Sequence, residues 1–142
     1  MRVVLDTDVM VAALRSQKGA SQQLLLAALD CRFTLLVSVA LMLEYEAVLT
    51  WPANLKEAGA TREEVGDILD ALGLVLTPVR IPFLWRPQLK DPADEMVLET
   101  AVNGQADALV TFNLRHLKAA TNRFGIRVCR PGTIWREIGE GK

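Results

Sequence analysis

The residues in this sequence best suited to chemistry are three acids and an amide set far apart along the chain: Asp6, Glu44, Asp94 and Asn113. Together they offer only oxygen ligands, the donor set preferred by Mg²⁺ or Mn²⁺, hard cations that keep several exchangeable waters. Carboxylates gathered without a cation repel one another and some of their pKa values rise; a bound metal relieves that conflict. The single histidine, His116, cannot supply a paired imidazole acid and base, so activation of water would fall to a cation. Taken singly, each residue has a plainer role. Asp6 caps a following helix, Asp94 complements a helix dipole, and Glu44 belongs to a solvated face. Only their convergence would make a site.

Convergence requires elements that bring distant residues to one edge. Residues 2–5 form a short apolar, β-branched run ending in Asp6, which reads as a buried strand with a helix following from about Asp8. Ser21 is expected to cap a second helix running to Leu29, and residues 33–37 to form a second strand. Ser38 opens a helix in which Leu41, Tyr45, Val48 and Leu49 recur at helical spacing up to Trp51-Pro52, so Glu44 lies on a helix. Thr61-Arg62-Glu63-Glu64 fits a capping box for a helix ending near Gly73. Residues 74–79 read as a third strand, and Pro82, Pro87 and Pro92 mark a loop. Helix returns over 93–102, strand over 108–111, helix over 114–120, strand over 126–129 and a last turn over 134–138.

Short, uniformly apolar strands alternating with helices predict a mainly parallel five-stranded sheet covered on both faces, an α/β/α sandwich spanning 1–142 as one domain. Ligands of such folds bind outside the carboxyl ends of the strands. Asp6 and Asn113 should therefore meet at that edge, with Asp94 near a helix start and Glu44 reaching in from its helix.

The balance of 16 basic against 17 acidic residues argues against coating nucleic acid through global charge, so any RNA contact must be local. No apolar run is long enough to span about 30 Å of hydrocarbon, and the acid at position 6 interrupts any signal-like segment, which predicts a cytoplasmic protein without membrane attachment. Cys31 and Cys129 form no CxxC pair and are expected to be buried, reduced thiols rather than zinc ligands.

Four segments carry a resemblance to a known family: Val3-Val4-Leu5-Asp6-Thr7-Asp8-Val9, Leu43-Glu44-Tyr45-Glu46-Ala47-Val48-Leu49, the stretch from Asp91-Pro92-Ala93-Asp94-Glu95 to Ala101, and Ala106-Asp107-Ala108-Leu109-Val110-Thr111-Phe112-Asn113. In that order they resemble the successive motifs of PIN domains, and more narrowly the branch assigned to toxins of bacterial and archaeal toxin-antitoxin pairs. The resemblance implies a PIN-like sandwich, a ribonuclease that leaves a 5′-phosphate and a 3′-hydroxyl, and Asp6, Glu44 and Asp94 as metal ligands. Asp8 fills a place near the site often held by Asn, and Asp91 is an additional candidate. It also implies homodimers and an antitoxin partner that folds a segment over the acidic cleft. One departure stands out: Asn113 occupies the fourth acidic position, which removes a negative charge and favours one firm metal site over two.

Around this centre, Thr111 is a candidate holder of water or phosphate as well as an ordinary strand residue. Arg15, Lys18, Arg115 and Lys118 are candidates for gripping an RNA backbone. Phe83, Trp85 and Arg86 offer flat faces for stacking, and Trp51 or Trp85 an interface anchor. Asp6-Thr7-Asp8 after a strand also resembles the nucleophile motif of haloacid dehalogenase-type phosphatases, but the late strand ends in Thr111-Phe112-Asn113 instead of a paired acidic motif. A phosphoacceptor receiver domain fits less well, because the strand before Ser38 ends without an aspartate. The remaining alternative is a PIN-like module that binds RNA or protein with catalysis weakened or lost.

Overall fold

In the computed structural model, which describes residues 1–16, 19–81 and 92–140, five short strands lie side by side, the three inner ones carrying apolar residues toward both faces. They are β1 (Arg2–Leu5), β2 (Thr34–Ser38), β3 (Thr77–Val79), β4 (Ala108–Val110) and β5 (Arg127–Cys129). Val3, Val4 and Leu5 are fully buried, as the middle strand of a two-sided sheet requires. The order is β3-β2-β1-β4-β5 and every pairing is parallel. Leu5 pairs with Val110, and Val110 with Cys129, so these strands end at one level. The chain moves outward from β1 to β2 and β3, then crosses to β4 and β5. The crevice between β1 and β4 is thus the topological switch point, where diverging connections leave room for a ligand.

The connections are α1 (Thr7–Arg15), α2 (Ala20–Leu29), α3 (Val39–Leu49), α4 (Pro52–Ala58), α5 (Arg62–Val75), α6 (Pro92–Asn103), α7 (Leu114–Asn122) and α8 (Pro131–Glu140). Helix α6 lies on β1 and β2 and packs against α7, while α1, α2, α5 and α8 pack among themselves, with α2 touching the other three. The result is the α/β/α sandwich expected from the sequence, with an entirely parallel sheet. No helix among the described residues is long and apolar enough to cross a membrane.

Capping sets several boundaries. The Ser38 hydroxyl accepts from Leu41 N at 3.2 Å and starts α3. The predicted capping box of α5 is present: Thr61 N donates to Glu64 Oε1 (3.0 Å) and Glu64 N to Thr61 Oγ1 (3.1 Å).

Elsewhere the elements depart from expectation. The cap of α2 is Gly19, without a side-chain bond, and Ser21 sits buried in the first turn. Trp51-Pro52 ends α3 but also begins α4, since proline at the first helical position forfeits no hydrogen bond. Strand β3 is shorter than residues 74–79, because α5 runs on to Val75. The last turn is a ten-residue helix. Cys129 is buried, but Cys31 is exposed: it follows the end of α2 with φ +57°, in a turn that faces outward. The proline-rich stretch with Phe83, Trp85, Arg86 and Asp91, and also Lys18, lies outside the described residues.

Gly104, just after α6, shows how closely that helix is packed over β2 and β3. A β-carbon there would meet the Thr100 carbonyl oxygen and Val79 Cγ2 at 2.9 Å and Leu36 Cδ1 at 3.0 Å. Gly104→Ala is expected to destabilise the fold by about 1–3 kcal/mol through overpacking, measured as a lower urea midpoint with unchanged slope.

Candidate active site at the carboxyl edge of the sheet

The site begins with backbone that the sheet holds fixed past its last paired residues. Asp6 N donates to Val110 O (2.9 Å) and Thr111 N to Cys129 O (3.0 Å), so the residues after β1 and β4 remain in register. Asp6 is the N-cap of α1: its Oδ1 accepts from Thr7 N at 2.7 Å. Its Oδ2 accepts from the Thr111 hydroxyl at 2.8 Å. Thr111, fully buried, in turn accepts from Asn113 N at 2.9 Å. A second acid joins from the first turn of α1, where Asp8 Oδ2 accepts from Phe112 N at 3.1 Å and faces the Thr111 hydroxyl at 3.4 Å. The hydroxyl has one proton, and the shorter contact assigns it to Asp6.

Asp94, also buried, comes from the first turn of α6, where the helix dipole favours a negative charge. His116 Nδ1 lies 3.9 Å from Asp94 Oδ2 and 3.0 Å from Asn113 Nδ2. With neutral His116 accepting at Nδ1, the Asn113 amide donates to it, and the side chains of Asp94, Asn113 and His116 form the α6–α7 wall of the site.

Crowding these acids has a cost. The Asp6 carboxyl is pushed up to about 7, mainly by burial and next by the charge of Asp8, with Asp94 adding to the rise; the Thr111 and Thr7 bonds oppose it. Burial likewise raises Asp8, which also feels Asp94. Among the described residues, Asp8 Oδ1 is buried with no hydrogen-bond partner. An unpaired buried carboxylate oxygen is expensive unless a cation or water meets it.

Glu44 stands apart from this trio. It is half-buried on the wall of a cleft of about 570 Å³ shared with Thr7, Asp8, Arg15, Val48 and Phe112. Its neighbour Tyr45 is fully buried and donates its hydroxyl to Leu5 O, one residue before Asp6, so α3 is tied to the end of β1. Burial, and then the Asp6 charge, push the phenol's pKa upward, keeping it a neutral donor. Among the described residues no three acidic, histidine or cysteine side chains stand in ligating geometry around one point. That arrangement still suits Mg²⁺, which is commonly held by one or two carboxylates and completed by water.

The sequence-predicted basic residues are distributed differently. Arg15 lines the same cleft, but its guanidinium bonds Asn54 Oδ1 (2.8 Å) and pairs with Glu57 (3.0 Å) on α4. Arg115 and Lys118 are exposed on α7. Sequence reasoning did not foresee the Tyr45 tether, the place of His116 beside Asp94, or Phe112, 44% exposed at the mouth of the cleft. The 113–116 spacing within one helical turn was the available signal for His116.

Among known families, the one described as PIN domain matches residues 2–115. Among solved structures, the chain is similar to one in the crystal structure of VapBC2 from Rickettsia felis bound to a DNA fragment from their promoter. That match has a TM-score of 0.60 and 17% identity, and covers 90% of this chain and 97% of the other, a likeness of fold. No match was found among curated proteins.

The raised Asp6 pKa has a stability consequence when divalent ions are removed. Between the ordinary value of 3.8 and about 7 the folded state holds a proton that the unfolded state releases, so this group's contribution is most favourable below the lower value and worsens as pH rises. In EDTA, Asp6→Asn should therefore gain about 3 kcal/mol on the wild type as pH rises from about 5 to 8, about two pKa units at roughly 1.4 kcal/mol each. Urea unfolding of both proteins across that range checks this; a difference independent of pH would show that Asp6 ionises normally.

Proposed function

Because the chain belongs to the PIN-domain family, we propose that it is a Mg²⁺- or Mn²⁺-dependent endoribonuclease, acting as the toxin of a toxin-antitoxin pair. The observation that carries the catalytic reading is the buried carboxylate cluster of Asp6, Asp8 and Asp94 at the switch point, with Asp8 Oδ1 unpaired. A buried carboxylate oxygen without a hydrogen bond calls for a partner, which a cation or its water would supply.

Asp6 and Asp94 would hold the cation, with Asp8, Glu44 and the Asn113 amide oxygen as candidates to bind its waters. When bound, a divalent cation supplies positive charge to the phosphoryl oxygens and lowers the pKa of water. The chain's own groups perform the positioning. Thr111 fixes Asp6 Oδ2 and Thr7 N fixes Oδ1, and each oxygen keeps a further lone pair for a cation or its water. Phe112 N holds Asp8 Oδ2 so that Oδ1 remains available. Glu44, which lines the same cleft as Asp8, would accept a proton from an attacking water. The single negative charge missing at Asn113 favours one firmly held cation, the second arriving with substrate.

The toxin assignment rests on the motifs and is supported by the fold likeness to a chain of VapBC2. An antitoxin segment over the cleft and a homodimer are part of the same reading. Val39 (77% exposed) and Leu43 (60% exposed) on α3 leave apolar surface for such contacts.

Purified protein should cleave end-labelled RNA with Mg²⁺ or Mn²⁺ and not with EDTA. Folded Asp6→Asn and Asp94→Asn should lose at least about a hundredfold in rate, as loss of electrostatic stabilisation does, and Thr111→Val about tenfold or more. Cleavage unchanged in Asp6→Asn would displace the site. Absence of cleavage by the wild type over several RNAs would leave the binding-module reading.

A further inference from the structure

A second cavity opens at the same edge of the sheet, beyond Phe112. It measures about 430 Å³ and shares Ala12, Ser16 and Phe112 with the cleft that contains Asp8. Its character is opposite to that of the carboxylate cluster. The N-termini of two ten-residue helices, α2 and α8, meet there. The α2 cap, Gly19, has no side chain to satisfy the first amides. At α8, Pro131 has no amide and Thr133 N is taken by Arg130 O, while Gly132, half-buried, lines the cavity without a side chain to cover its amide. First-turn amides lack intrahelical partners and carry the positive end of the helix dipole.

An independent observation indicates a ligand. Ser21 is 5% exposed, lines the cavity, and its hydroxyl has no hydrogen-bond partner among the described residues. Two exposed arginines, Arg130 and Arg136, complete the lining, and neither guanidinium has an ion-pair partner among the described residues. Glu137, the next residue after Arg136, is committed to Arg127. Amide donors at two helix ends, a spare hydroxyl and two guanidinium groups are the donor set for a phosphate oxyanion.

We propose that this cavity is a phosphate subsite that grips the RNA backbone next to the cleavage centre. The proposal rests on the nuclease reading for its substrate, although the anion site itself does not. A strand crossing Phe112 would place one phosphate among the acids, where a cation is needed, and another in the arginine cavity, where none is. The exposed ring lies between them, available to a base as a stacking surface. The subsite therefore sets the direction and register of the strand, a task that the acidic centre cannot perform because it repels phosphate unless a cation is present.

The test uses the full chain in EDTA, so that cleavage does not interfere. Inorganic phosphate, titrated by amide NMR, should shift the Ser21 and Gly132 signals saturably. Arg130→Gln/Arg136→Gln should weaken that response at least about tenfold, and Ser21→Ala several-fold. Gly19→Asp, which supplies its own cap but brings a β-carbon to 2.9 Å from Ser16 Oγ, should abolish the response in protein that urea unfolding shows to be folded. For single-stranded RNA, the double arginine variant should bind at least about tenfold more weakly, with a salt slope smaller by about 1.4, at 0.7 per lost contact.

Unmoved amides, or equal movement in the folded double variant, would overturn the site. Phosphate binding with unchanged RNA affinity and salt slope would overturn the RNA assignment in favour of a small phosphate ligand, and a response to an acidic peptide but not to phosphate would do so in favour of a protein partner. If the phosphate and RNA effects appear but no RNA is cleaved with Mg²⁺ or Mn²⁺, the subsite stands and the nuclease reading falls.

Discussion

The hydroxyl of Thr111 joins the two halves of the sheet at the point where they part. It donates to Asp6 after β1 and accepts from Asn113 N after β4, with no water between. A buried hydroxyl satisfied in both roles fixes the positions of its partners more tightly than either strand end would alone, because neither bond can be exchanged for one to solvent. Around it the acids assemble in a geometry they would not choose. Asp6 and Asp8 lie near each other because α1 starts immediately after β1, and Asp94 is brought in because α6 lies over that strand. The opposing forces are unequal: the Thr111 and Thr7 bonds lower the Asp6 pKa, yet burial and neighbouring charge still carry it up to about 7. The fold thus stores an electrostatic conflict at the switch point.

Two further contacts keep that conflict from being relieved by movement. The Tyr45 hydroxyl holds Leu5 O, so the end of β1 cannot retreat from α3. On the other side, Ser38 Oγ and Thr100 Oγ1 lie 2.7 Å apart in the core, and Thr100 donates on to Met96 O. With Ser38 also accepting from Leu41 N, the start of α3 is bonded to the middle of α6. The helix that carries Glu44 and the helix that carries Asp94 are therefore positioned by one buried pair of hydroxyls. Such pairs contribute modestly to net stability, about 0.5–1.5 kcal/mol each, but leaving one partner unpaired costs more. Their value here is in fixing geometry.

Much of this was legible in the sequence. Five apolar runs separated by helical segments led to the parallel sheet, and the rule that ligands lie at strand ends selected Asp6 and Asn113 before any coordinates. Ser38 and the Thr61 box were readable because caps are local: donor and acceptor lie within three residues. What escaped was long-range. Tyr45 reads as one more apolar helical position, and nothing local shows that its hydroxyl meets a carbonyl 40 residues earlier. Thr111 reads equally well as a strand residue, since its role depends on a carboxylate 105 residues away. The helix starting at Pro52 was hidden because a proline after an apolar helix signals a break, and the same residue is also a good first position. Glu44 was grouped with the innermost acids, whereas Asp8 comes closer to Asp6; periodicity places a residue on a face but does not measure its distance.

The edge that gathers acids also gathers amides, for one geometric reason. In a parallel sheet the helices that follow a strand or lead into the next one start on the same side, so positive dipole ends accumulate there whether or not they are used. At α1 and α6 they are met by Asp8 and Asp94, and the local field is turned negative. At α2 and α8 the first-turn residues supply no acid, and Arg130 and Arg136 reinforce the positive ends. A polyanion laid across such an edge meets repulsion at one station and attraction at the next. On the proposed nuclease reading, placing a phosphate at the acids would depend on a divalent cation while placing one in the arginine cavity would not, so that binding and cleavage would be separable.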